Sequence, residues 1–251
     1  MNRDALGHYL AELLAIDRCQ DYCPNGLQVE GRQSIQHIVS GVTACQALLD
    51  KAIELEADAV LVHHGYFWKG EPPVVTGMKK RRLQTLLQHE LNLFAYHLPL
   101  DIHSRLGNNA QLAQLMDWPQ PEVLTAIEPQ GVVMTATLIE PVAADHLALQ
   151  LEQRLGRQLF CAVHEQQPVT KIAWCTGGGQ GFIDAAAAAG CDAFITGEVS
   201  EQTIHSAREQ HIAFYAAGHH ATERYGVQAL GEHLAERFGI QHTFVDIDSP
   251  A

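Results

Sequence analysis

Val60-Leu61-Val62-His63-His64-Gly65 decides how this chain is read. Three apolar residues run straight into two imidazoles and a glycine. The run Ala59–His64 reads as a buried strand, because a strand covered on both faces is continuously apolar rather than alternating. Its histidines then lie at the carboxyl end, where α/β sheets place their ligands. Gly65 allows a sharp turn beside them.

Working outward, strands and helices alternate. Ile38–Thr43 reads as a strand and Gln46–Glu56 as a helix with Leu49, Ala52 and Ile53 on one face. Leu83–Glu90 reads as a helix, Asn92–His97 as a strand and Asn108–Met116 as a helix. At the amino end, Leu6, Leu10, Leu13 and Leu14 have helical spacing, and Asp21-Tyr22-Cys23-Pro24-Asn25-Gly26 has turn chemistry. Near Pro119-Gln120-Pro121 a connector begins, with strand Gly131–Ile139, helix Ala143–Leu155 and strand Leu159–Val163. The rhythm then returns: strand Lys171–Thr176, helix Phe182–Ala189, strand Ala193–Gly197, helix Glu201–Glu209, strand Ile212–Ala217, helix Thr222–Phe238 and strand His242–Ile247. Moved by 134 positions, Ile38 meets Ile172, Gln46 meets Gln180, Asp50 meets Asp184, and Asp58-Ala59 meets Asp192-Ala193, while His63-His64 falls on Gly197-Glu198. The expectation is an α/β protein of two similar halves, an internal duplication, with mixed sheets flanked by helices and joined by a short strand-helix-strand connector. The halves are expected at 1–125 and 168–251, with the connector at 126–167 and a metal cleft between the halves.

The 251 residues carry a net charge of −13, which disfavours general nucleic-acid binding. Lys79-Lys80-Arg81-Arg82 is a local exception, read either as a solvated helix end or as a phosphate patch. No apolar run reaches the roughly 18 residues of a membrane span. The opening Met-Asn-Arg-Asp lacks a secretory apolar stretch, so cytoplasmic residence is expected. Six scattered cysteines without Cys-x-x-Cys read as reduced thiols. Histidine is abundant, 15 against 16 Lys and Arg together.

Successive strand side chains point opposite ways, so His63 and His64 are expected to serve two neighbouring ions, one each. Tyr96-His97 with Asp101 ends another strand. Gly218-His219-His220-Ala221-Thr222-Glu223 places His219 and Glu223 at i, i+4, on one face of a helix. Together His63, His64, Asp101, His219 and Glu223 form a candidate dinuclear N/O site. Taken singly, each piece has a plainer reading: a polar loop start, a solvated helix face, a core histidine at His97 or a helix cap at Asp101. What sets them apart is that all fall at the carboxyl ends of expected strands. Glu198 is a candidate general base or outer acceptor, or else a helix N-terminal acid. Thr176-Gly177-Gly178-Gly179-Gln180-Gly181 is a candidate phosphate loop or a tight strand-to-helix turn; Phe182 replaces the third glycine of the dinucleotide pattern.

Pro24-Asn25-Gly26-Leu27-Gln28-Val29, Val62-His63-His64-Gly65, Tyr96-His97 with Asp101, Thr176-Gly177-Gly178-Gly179, Thr196-Gly197-Glu198 with His205, and Gly218-His219-His220-Ala221-Thr222-Glu223 together resemble the NIF-three-like family, also labelled GTP cyclohydrolase 1 type 2 homologues. The motifs span nearly the whole chain, in the family's order, and match its short bacterial form. The resemblance implies a two-metal site with ligands matching His63, His64, Asp101, His219 and Glu223, two similar α/β halves, and a toroidal homohexamer. For some members it also implies ring-opening hydrolysis of GTP with release of formate.

The leading expectation is therefore a metal-dependent hydrolase acting on a nucleotide or related heterocycle through metal-activated water. Glu198 and His97 would move protons. Gly177, Gly178, Gly179, Lys79 and Arg82 are candidate substrate contacts. Imidazole and carboxylate without thiolate suit two divalent ions of Zn, Fe, Mn or Ni. The rival is a metal-stabilised toroidal scaffold or adaptor, including a nucleic-acid-linked stress role.

Overall fold

The computed structural model describes residues 1–163 and 168–251; residues 164–167, the end of the expected connector, lie outside the described residues. In chain order the elements are α1 (Arg3–Leu13), β1 (Gly26–Val29), β2 (His37–Thr43), α2 (Gln46–Glu54), β3 (Ala59–His64), α3 (Gly77–Gln88), β4 (Asn92–Ala95) and the short α4 (Leu98–Asp101). Then come α5 (Asn108–Leu115), β5 (Glu122–Val123), β6 (Met134–Val142), α6 (Ala144–Leu155), β7 (Cys161–Val163), β8 (Val169–Cys175), α7 (Ile183–Ala188), β9 (Ala193–Thr196), α8 (Glu201–Glu209), β10 (Ala213–Ala216), α9 (His219–Phe238) and β11 (Gln241–Phe244). No helix among the described residues is long and apolar enough to cross a membrane.

Contacts divide the chain into two compact units, Met1–Leu100 with Gly226–Asp248, and Asp101–Tyr225 with Ser249–Ala251. This division differs from the sequence-based boundary at 125 because Leu112, Ala113 and Met116, in and just after α5, pack into the second unit's core. The expected connector strands β6 and β7 are likewise hydrogen-bonded into the second sheet.

The first unit's sheet has the order β1-β4-β3-β2-β11. β4, β3, β2 and β11 run parallel, and β1 is antiparallel to β4. Val60 and Val62 pack with Leu48, Leu49 and Ala52 of α2 and Leu86 of α3. Each such valine or leucine side chain stabilises the fold by about 1.5–3 kcal/mol on full burial. The second sheet has the order β5-β6-β8-β9-β10-β7, parallel at β8-β9-β10 and antiparallel on both flanks. Strand alternation divides its core between two faces. Ile172, Trp174, Ile195 and Tyr215 pack on one, and Ala173, Cys175, Phe194 and Phe214 on the other.

The three central strands of each sheet, β2-β3-β4 and β8-β9-β10, are alike in order and in register. Ile38 pairs with Ala59 in the first sheet, and the repeat-equivalent Ile172 pairs with Ala193 in the second. Asp58 Oδ2 accepts the backbone N–H groups of Gln36 and His37. Asp192 Oδ2 accepts those of Thr170 and Lys171, at the positions the 134-residue shift assigns. A short acidic side chain thus satisfies two strand-start donors in each half.

Candidate metal centre

In the first unit, β3 carries the buried His63 to its carboxyl end, where Nδ1 lies 3.0 Å from the Tyr96 carbonyl. His64 Nδ1 lies 3.2 Å from the Thr43 hydroxyl. The expected divergence of these neighbours does not occur. Their ring centroids are 4.6 Å apart, because β3 ends here and each ring is tied to a different oxygen. His97 follows β4 and joins them, its ring centroid 5.0 Å from His63 and 5.7 Å from His64. One ligand nitrogen from each of the three lies within 4.8 Å of the others, close enough to hold an ion. Gly65 is required sterically: a Cβ there would strike the Gln28 side chain and Ala95. Gln28 in turn accepts the Tyr66 N–H at 2.7 Å and so sets the course of the chain after the histidines.

His97 is anchored from the loop before β1. Its ring Nδ1 lies 2.7 Å from Asp21 Oδ1, and its backbone N–H donates to Asn25 Oδ1 at 2.7 Å. Burial pushes the Asp21 carboxyl up, but the hydrogen bonds from His97 and Asn25 outweigh it and hold it below the ordinary 3.8. Nearby, burial and then the Asp21 charge push the Cys23 thiol up to about 12.

In the second unit, Asp101 is 6% exposed and Glu223 2% exposed, with carboxylate oxygens within 4.8 Å of each other. Asn108 Nδ2 donates to Asp101 Oδ1 at 2.8 Å, and the Thr176 hydroxyl does so at 3.4 Å. The expected i, i+4 pair is present: His219 Nε2 lies 3.2 Å from Glu223 Oε2 in the first turns of α9, which begins at His219 rather than at Thr222. Glu198 Oε1 lies 2.7 Å from His219 Nδ1. Burial lowers the His219 pKa, but Glu223 and then Glu198 outweigh it and hold it up to about 9. Burial first, and then Asp101 and Glu223, push the Cys175 thiol well above its ordinary range.

The glycine loop is a fitted turn. Gly177 has φ +67°, and a Cβ there would collide with Glu223 Oε1. Its N–H donates to the Thr222 hydroxyl, and that of Gly179 donates to the Thr196 hydroxyl. Gly178 is exposed.

The Duf34/NIF3 (NGG1p interacting factor 3) model matches residues 1–250. The chain belongs to the Duf34/NIF3 family. A Pseudomonas aeruginosa relative bearing the name GTP cyclohydrolase 1 type 2 homolog is 59% identical, covering 93% of this chain and 92% of the relative. A structural-genomics structure of protein ybgI, described as of unknown function, has a TM-score of 0.93 and 56% identity over the full length of both chains. The crystal structure of TTHA1606 from Thermus thermophilus has a TM-score of 0.90 and 36% identity, again over both whole chains.

Of the remaining candidate residues in this NIF3-family chain, Lys79 on α3 pairs with Glu71 at 3.2 Å and lies over the Phe67 ring. The Arg82 guanidinium lies 5.9 Å from the Tyr66 ring centroid. Residues that sequence reasoning passed over are Asp21, Asn25, Asn108 and Thr43, each holding a candidate ligand or its neighbour. Asp21 gave only a turn signal and Asn25 a turn signal and a place in a family motif, and nothing local connects them to residue 97.

Proposed function

We propose that the protein is a dinuclear-metal-dependent hydrolase acting on a nucleotide or related heterocycle, with His63, His64, Asp101, His219 and Glu223 as ligands of two divalent ions. One observation carries the reading. His63, His64, His97 and His219 each have Nδ1 against an oxygen. That arrangement orients an imidazole so that Nε2 can meet a ligand, as in carboxylate–histidine–metal groupings. Buried carboxylates at Asp101 and Glu223 complete an N/O donor set suited to Zn, Fe, Mn or Ni. Gly177 adds to the fit, since only a residue without Cβ leaves room beside Glu223 and His219.

When bound, two such ions supply Lewis acidity and acidify a water at neutral pH. The chain's own residues do the rest. Asn108 and Thr176 orient Asp101, and Glu198 holds the His219 ring. His97 accepts a proton from the attacking water and returns it to the opening ring. The exposed Gly178, with Lys79 and Arg82, offers contacts for an anionic substrate. Glu198 is a second proton carrier. The relatives' shared name makes GTP the first substrate to test. A cytoplasmic homohexamer accompanies the same reading and rests on family resemblance.

The test is to load the protein separately with zinc, manganese, iron and nickel, incubate it with a nucleotide panel, and assay formate and phosphate. The expected result is formate release from GTP that His219→Ala abolishes. Full metal content without turnover of any nucleotide would replace this reading with the metal-stabilised scaffold.

A further inference from the structure

The turn before β1 does more than reverse the chain. The Asp21 side chain is 3% exposed, and an ionised carboxylate has about four acceptor positions. Four donors meet it. Oδ1 takes the Tyr22 N–H at 2.6 Å and His97 Nδ1 at 2.7 Å. Oδ2 takes Asn25 Nδ2 and the Leu98 N–H, both at 2.9 Å. With the Asn25 bond to the His97 N–H, the turn grips both the backbone and the ring of one residue 76 positions away.

This saturation excludes one use of the cluster. Asp21, Cys23 and His97 have potential ligand atoms within 4.8 Å of one another. An ion there would have to displace donors from a fully occupied carboxylate and deprotonate a buried thiol. The consequence for His97 is different. A carboxylate accepts, so Nδ1 must carry the hydrogen. A neutral imidazole has one N–H, which leaves Nε2 a bare acceptor on the far side of the ring. A His97 ring nitrogen also lies within 4.8 Å of ligand nitrogens on His63 and His64.

We propose that Asp21 is the positioning residue of the first unit's histidine cluster: it locks His97 as the Nδ1–H tautomer, with Nε2 held as the hydrogen-bond acceptor for the reacting water beside His63 and His64. The role of that water rests on the hydrolase reading; the tautomer does not.

The test is a long-range proton–nitrogen spectrum of the full-length protein labelled with nitrogen-15 histidine, with His97 assigned by His97→Gln. Wild type is expected to show His97 protonated at Nδ1 and bare at Nε2. Asp21→Asn offers one acceptor atom and one NH2, so either orientation sets an NH2 against two of the four donors. It is expected to mix or invert the tautomer and lower kcat on the responsive nucleotide about 10–100-fold, with KM changed less than about twofold. Asn25→Ala leaves the ring bond in place and is expected to keep the tautomer, so it stands in if Asp21→Asn fails to fold. A wild-type His97 protonated at Nε2, or an Asp21→Asn protein with unchanged tautomer and kcat, would overturn the proposal. If wild type turns over no nucleotide, the hydrolase reading falls while the spectrum still decides whether Asp21 sets the tautomer.

Discussion

At the start of β3, Asp58 accepts two backbone N–H groups, and at the start of β9 Asp192 does the same for their repeat equivalents. Followed to their other ends, these strands part company. One finishes in His63-His64, and the other runs on to Gly197-Glu198. The likeness lies where the chain needs satisfied donors, and the difference lies where α/β sheets put their chemistry. A second contrast sits within that difference. Asp21–His97 and Glu198–His219 have the same 2.7 Å separation, yet the Asp21 side chain is 3% exposed and Glu198 46%. Asp21 is held by four donors. Glu198 receives His219 and a long 3.3 Å bond from Gln180. One pair is built to stay fixed; the other has solvent in which to adjust.

The largest effect that would break this comparison comes from Glu223→Gln. It should lower metal content and weaken binding about 100-fold, read by elemental analysis and chelator competition; unchanged metal content would remove Glu223 from the ligand set. Next is Gly177→Ala, where a positive φ and a collision with Glu223 both act. It should cost about 2–4 kcal/mol in urea unfolding. Gly178→Ala, whose Cβ would first meet Glu198 at 3.6 Å, should cost far less. Asp58→Ala and Asp192→Ala should each cost about 1–3 kcal/mol and agree within about 1 kcal/mol; a large disparity would make the repeat nominal.

The pH dependence sharpens the second contrast. Without a bound ion, burial lowers the His219 pKa, but Glu223 and Glu198 outweigh it and hold it up from 6.5 to about 9. The stabilisation from its charged form is therefore complete below about 6.5 and lost as pH rises through about 9. An ion must displace that proton, so metal affinity should climb over the same interval. Titration calorimetry at several pH values should show proton release that shrinks toward pH 9. The smallest effect on metal affinity is expected from Glu198→Gln, whose amide oxygen can still accept from His219: less than about tenfold.

Much of this was legible in the sequence because periodicity reports burial. The Ala59–His64 and Glu201–Glu209 boundaries match those observed, and strand pairs related by the 134-residue shift have equivalent partners. β1 was not legible, since Gly26–Val29 is short and its partner β4 lies far along the chain. Nor was the close approach of the His63 and His64 rings, which depends on oxygens from Thr43 and Tyr96 rather than on strand alternation. The partners of Asp21 and Asn108 were invisible for a related reason: a hydrogen bond between residues distant in sequence leaves no local pattern. The glycine loop read as a phosphate cradle or a turn; its Gly177 and Gly179 donors go to Thr222 and Thr196.

Burial has a redox consequence. Cys23 and Cys175 are kept in thiol form by the same desolvation and carboxylates that shape their surroundings. Peroxide attacks thiolates, so among the cysteines whose side chains are described, oxidation should begin at the half-exposed Cys19 and Cys45. The proposed ligands, made only of nitrogen and oxygen donors, then have no sulfur to lose when the surroundings turn oxidising.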